Sequence, residues 1–278
     1  MADVEAGTDG DRGVLFKWVV ILILGVLLIS FMFFFFGWFT KGNAASLTLK
    51  SGDKSLTVQT AGIAVPSEMA KGLDPDKQFI STEEGFYFEL PSAREWSRPA
   101  RTDLLEFLRL KGALPQTTEV PPSGAKLLRS ISVTRLTSGE AIRVEIPGEG
   151  EINYQNEFDV TVLPTSTAAS LLEALSGTKT QPSLPALFVE VAPLLAGAKI
   201  DRLVANEDSI LVSFSLSLSG TTVNGQPKEF RVDRWSLFAR GSKGFFILDI
   251  GFSSQTPDSI DVWDQLQDLV HSFHVIET

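Results

Sequence analysis

From Trp18 to Phe39 the chain runs for 22 residues without a charge and with a single hydroxyl, that of Ser30. As an α-helix such a run extends roughly 33 Å, at about 1.5 Å per residue, enough to cross a hydrocarbon core of about 30 Å. Lys17 and Lys41 fence it with stems that can snorkel to the headgroups, and Trp18 and Trp38 stand where interfacial aromatics concentrate. The sequence predicts one transmembrane helix within residues 14–40, preceded by a polar, acidic, disordered tail over residues 1–13. A buried soluble helix would need protein around all of its faces. A cleaved signal peptide has a shorter apolar region and a better cleavage site than Asn43-Ala44-Ala45.

Cations nearly balance across the run, Arg12 and Lys17 before it and Lys41, Lys50 and Lys54 after it, so charge alone does not orient the helix. The expected arrangement is an uncleaved anchor in the cell inner membrane, with the C-terminal bulk periplasmic or otherwise extracytoplasmic. The chain has no cysteine, which excludes disulfides and thiolate metal sites and fits either compartment.

A net charge of −10 argues against a nucleic-acid partner. The charge is uneven. Between Arg94 and Arg135, eight basic residues face only Glu95, Asp103, Glu106 and Glu119. Such an island on an acidic protein suggests contact with anionic headgroups or an acidic partner surface, and Arg98, Arg101, Phe107, Arg109 and Lys111 are the docking candidates within it.

Beyond the run, Leu47, Leu49, Leu56 and Val58 alternate about Ser51-Gly52-Asp53-Lys54, predicting a juxtamembrane hairpin that a turn-rich linker follows, the two filling residues 41–77. The main domain is expected over residues 78–278. Its signals are an aromatic strand at Gly85–Pro91, an amphipathic helix at Thr102–Lys111, and a proline-marked loop through Pro115, Pro121 and Pro122. Ile131–Leu136 and Ala141–Ile146 read as paired strands about Thr137–Glu140, with Phe158–Leu163 a third. A helix capped by Thr165 or Ser166 and ended by Gly177, and a buried helix within Leu184–Leu195, come next. Strands at Lys199–Asn206, Ile210–Ser217, Phe230–Arg240 and Phe245–Phe252 follow, with Asn224-Gly225 as a hairpin turn. A last helix after Pro257 places Ile260, Trp263, Leu266, Val270 and Phe273 on one side. This order predicts an α+β fold in which helices cover a mostly antiparallel sheet.

Signatures of chemistry are sparse. No GxSxG, Walker loop, GxGxxG or HExxH occurs, and the two histidines, His271 and His274, both belong to the final segment, so no enzyme is expected. Asp264, Asp268 and His271 recur at i, i+4 and i+7, a spacing that can present metal ligands to a divalent cation and equally the polar outer face of an amphipathic helix. No other cofactor is implied.

Three segments resemble the PsbP-like family, the extrinsic proteins of photosystem II and their bacterial relatives, which share a fold with the Mog proteins. They are GFYFELPSAREW at Gly85–Trp96, FDVTVLPTSTAASLLEAL at Phe158–Leu175, and the closing hairpin and helix from Arg234 to Ile276. The resemblance implies an α/β/α sandwich over residues 78–278 and a non-catalytic domain that acts by binding. Two departures stand out: the insertion from Arg98 to Lys126, and a spanning helix of the chain's own. The expected function is an accessory, assembly or stabilising subunit of a membrane protein complex, for which a photosynthetic or respiratory assembly fits. The alternative is a membrane-tethered module that binds a small ligand or a divalent cation.

Overall fold

The computed structural model describes residues 46–60, 63–91, 96–111, 114–146, 150–177, 179, 181–191, 199–205, 209–221, 227–255 and 259–277. The acidic tail and the apolar run with Lys17, Trp18, Trp38 and Lys41 lie outside them, as does Asn224-Gly225. Among the described residues no helix is long and apolar enough to cross a membrane.

In chain order the strands are β1 (Ser46–Ser51), β2 (Lys54–Gln59), β3 (Ala64–Pro66), β4 (Gln78–Ser81), β5 (Phe86–Glu89), β6 (Ala100–Asp103), β7 (Ser132–Ile146), β8 (Gly150–Pro164), β9 (Lys199–Ala205), β10 (Ser209–Thr221), β11 (Pro227–Arg240), β12 (Gly244–Phe252) and β13 (His274–Glu277). The helices are α1 (Ser67–Ala70), α2 (Leu104–Leu110), α3 (Pro122–Arg129), α4 (Thr165–Ser176), α5 (Leu184–Val191) and α6 (Ser259–His271). A seven-stranded antiparallel sheet runs β6-β7-β8-β12-β11-β10-β9, beside a four-stranded sheet β3-β13-β5-β4 and the β1–β2 hairpin. The fold is therefore α+β with mostly antiparallel sheets, as the order of elements predicts.

Period-two alternation gives the large sheet two different faces. One carries Phe158, Val160 and Val162 of β8, Phe246, Leu248 and Ile250 of β12, and Trp235 and Leu237 of β11. Against it lies α6, whose Val262, Trp263, Leu266, Leu269 and Val270 recur at helical spacing and are buried. Trp263 sits 5.0 Å from Trp235 and 5.1 Å from Phe252 between ring centroids. Phe86 and Phe88 of β5 and Phe273 extend this layer.

The β1–β2 hairpin belongs to the same core, which corrects the expected juxtamembrane appendage. Leu47, Leu49, Leu56 and Val58 are all buried there, because a two-stranded ribbon with one apolar face must cover that face. The indole N–H of Trp235 donates to the Leu49 carbonyl at 3.3 Å, and the Ser213 hydroxyl donates to that of Lys50 at 3.3 Å. What reads as a linker supplies β3 and α1, and β3 pairs in parallel with β13.

Other differences have local causes. Thr137–Glu140 is no hairpin turn; β7 continues through it, with a bulge between Ser138 and Ile142, because Thr137 and Ser138 pair with Glu157 and Asn156 of β8. The proline-marked loop leads into α3, which Pro122 can start because its missing N–H costs nothing in a first turn. Helix α4 starts after Pro164 without a side-chain cap and ends at Gly177, whose φ of 68° suits glycine. β12 pairs with β8 only as far as Glu157 and with β11 only as far as Asp233. Past that point the two long hairpins run on and curl together, until Thr221 of β10 pairs with Glu145 of β7.

Candidate functional site

The second face of the large sheet changes character along its strands. Near the start of β12 it is apolar: Leu163, Phe245, Phe238, Ile210, Val212 and Phe214 pack under Ala168 and Leu172 of α4 and Leu184, Leu187 and Phe188 of α5. Toward the curled end the same alternation brings up Asp159 and Glu157 on β8, Asp249 on β12, Ser236 and Arg234 on β11, and Arg135 on β7. Glu157 and Asp159 are only 1% and 2% exposed. A cluster of charges is thus built into a sheet face.

Glu157 is the hub. Its carboxylate meets Arg135 Nη2 at 3.0 Å, Arg234 Nη2 at 3.1 Å and the ammonium of Lys111, which arrives from the C-terminal end of α2. Arg234 also pairs with Asp249, whose other oxygen accepts the Ser236 hydroxyl at 2.8 Å. Gly251 leaves room for this hub, since a Cβ there would stand 3.0 Å from Glu157 Cγ and 3.1 Å from the Tyr154 hydroxyl oxygen. Asp159 is held less well. Its nearest cation is Arg135 Nε at 3.7 Å, and neither of its oxygens has a hydrogen-bond partner among the described residues.

These surroundings separate two carboxyls that lie two residues apart. Burial opposes ionisation of Glu157, but Arg234, Lys111 and Arg135 outweigh it and hold its pKa down to about 2. Asp159 moves the other way: burial, and then the charge of Glu157, push it well above the usual carboxylate range. Burial and Glu157 likewise raise Tyr154, whereas Asp249 and Glu157 keep the buried Arg234 guanidinium cationic against desolvation. The two neighbouring carboxyls thus shift in opposite directions, a separation that acid–base sites share with structural ion clusters.

Ion pairs take three cations of the basic island. Lys111 and Arg135 enter the buried cluster, and Arg101 binds Glu83 at 3.2 Å and Glu84 at 2.9 Å. Arg98 stands exposed. Phe107 is half-buried beneath the Lys111 ammonium, 5.5 Å from its ring centroid. Of the five docking candidates, then, Phe107, Arg109 and Lys111 share α2 and its C-terminal end, while Arg98 and Arg101 lie apart from it. Asp103 caps this helix, accepting from the Glu106 N–H at 2.8 Å, and Leu105 buries its inner side.

On α6 the spacing of Asp264, Asp268 and His271 does place all three on the exposed side. His271 Nε2 lies 2.9 Å from the Thr57 carbonyl oxygen. Among the described residues no group of three or more His, Asp or Glu side chains is placed to hold a metal ion.

No protein-family model matches the chain, and no curated protein does. Among solved structures, the Ran-binding protein Mog1p of Saccharomyces cerevisiae is similar at 12% identity and a TM-score of 0.30, with 72% of this chain and 95% of that chain covered.

Proposed function

We propose that this is a non-catalytic, single-pass membrane protein whose PsbP-like domain serves as an accessory, assembly or stabilising subunit of a larger membrane complex, on the extracytoplasmic side. The observation that carries the reading is the uncharged stretch from Trp18 to Phe39 joined to a well-packed domain. A tether raises the local concentration of the domain at the bilayer, so modest contacts suffice for docking.

Helix α2 supports the same reading. Its end presents Leu110, 65% exposed, beside the half-buried Phe107 and Arg109, while Leu105 and Lys111 seat the helix from below. An apolar side chain on a rigidly seated element suits an interface.

Solubilisation of native membranes in mild detergent, followed by affinity purification of the full chain, tests the proposal. A stoichiometric co-purifying membrane subunit is expected; a monomer with no partner would overturn the reading. Alkaline carbonate should leave the chain in the pellet, and protease added to intact cells should reach the domain.

A further inference from the structure

The proposal above leaves open what on the partner is recognised, and the groove between α2 and α3 supplies chemistry for it. The groove has a volume of about 410 Å³ and is lined by Asp103, Leu105, Glu106, Arg109, Leu110, Gln116 and Arg129.

Four charges line the groove, and they are not equivalent. Asp103 is committed to the cap of α2, and Glu106 accepts the Thr102 hydroxyl at 2.7 Å. Among the described residues neither Arg109 nor Arg129 forms an ion pair, and the buried Nε of Arg109 has no hydrogen-bond acceptor. Two guanidiniums from neighbouring helices therefore face one groove with donors to spare, and Leu110 stands exposed at its rim. Guanidinium forks match carboxylates, and an aliphatic rim matches an apolar side chain next to them.

Building on the proposed docking role, we infer that this groove takes an acidic peptide segment of a protein partner, with a carboxylate bridging Arg109 and Arg129 and an apolar side chain resting on Leu110.

The full chain in mild detergent, titrated into a short fluorescein-labelled peptide alternating glutamate and leucine, tests this by anisotropy. Saturable binding is expected, with none to a matching lysine–leucine peptide. Arg109→Ala and Arg129→Ala should each weaken binding tenfold or more, while Arg109→Lys and Arg129→Lys retain part of it and Leu110→Ser costs a few-fold. Thermal melts of the variants that match the parent establish that the losses are not losses of fold. Affinities within twofold of the parent in both alanine variants would overturn the inference. So would phosphatidylglycerol vesicles that displace the peptide through the same two arginines, since the surface would then be a lipid contact. A partner that still co-purifies with the Arg109→Glu, Arg129→Glu chain overturns the groove but leaves the docking role standing; no partner with the parent chain overturns the docking role itself.

Discussion

On the face of the large sheet turned toward α6, Trp235, Leu248 and Phe246 sit in an apolar core, and packing holds the layers together. On the opposite face, within the same strands, Glu157, Arg234 and Asp249 replace them at the curled end. The apolar face loses stability in proportion to what is cut from it. The ionic face depends on every partner being present, because a charge left alone in a buried site has neither water nor counterion.

Glu157→Ala should expose this difference most sharply. It strands Lys111, Arg135 and Arg234, and removal of one partner from a buried ion cluster costs about 3–5 kcal/mol. Urea unfolding of the full chain in mild detergent would read it, and a loss below about 1 kcal/mol would mean that water already screens the cluster. Leu266→Ala, on the fully buried side of α6, should cost about 3 kcal/mol by cavity formation. The two losses should part company in acid. Glu157 titrates near 2 in the fold against 4.5 as the ordinary value, so its contribution is complete above about 4.5 and disappears as pH falls toward 2. The penalty of Glu157→Ala therefore shrinks over that window, and that of Leu266→Ala stays constant.

Asp159 supplies the opposite sign. Its folded carboxyl holds a proton that the unfolded chain releases above its ordinary pKa of 3.8, so stability falls as pH rises from there toward the raised folded value. Asp159→Asn should match the parent near pH 3 and become the more stable of the two as pH increases; parallel profiles would show that the acid is ionised in the fold. The smallest effect belongs to the helix over the ionic face: Asp103→Ala removes the cap of α2 and should cost about 1 kcal/mol in the same unfolding measurement.

Much of the apolar face was legible. Alternation in Phe245–Phe252 and Ile210–Ser217 marks β12 and β10, and the stripe of Trp263, Leu266 and Val270 marks the buried side of α6. Strand β8 is legible only from Phe158 onward, because the residues before it, Tyr154 to Glu157, are polar: Glu157 meets three cations, and Asn156 Oδ1 accepts the Ser253 N–H. The ionic cluster was not legible as a whole, since Lys111, Arg135 and Arg234 come from three distant elements and only the tertiary fold brings them to Glu157. One local signal did exist: Glu157 and Asp159 flank Phe158 and stand in phase with Leu163, so two acids fall on one side of an otherwise apolar strand. In the basic island the sequence shows the cations of residues 94–135 without the distant acid, Glu157, that pairs with Lys111 and Arg135. His271 and its aspartates illustrate a third limit: helical spacing sets which side a residue occupies but not whether neighbours converge.

Strand β13 lies between β3 and β5, pairing Val275 with Ala64 on one side and with Phe86 on the other. The small sheet thus cannot assemble from the first part of the domain alone. A ribosome must deliver residue 275 before the segments near residues 64 and 86 gain their common neighbour, so translation finishes most of the domain before that sheet can close. On the extracytoplasmic location proposed above, this delay would keep the early segments pliable during passage through a translocation pore and postpone locking until the far side is reached.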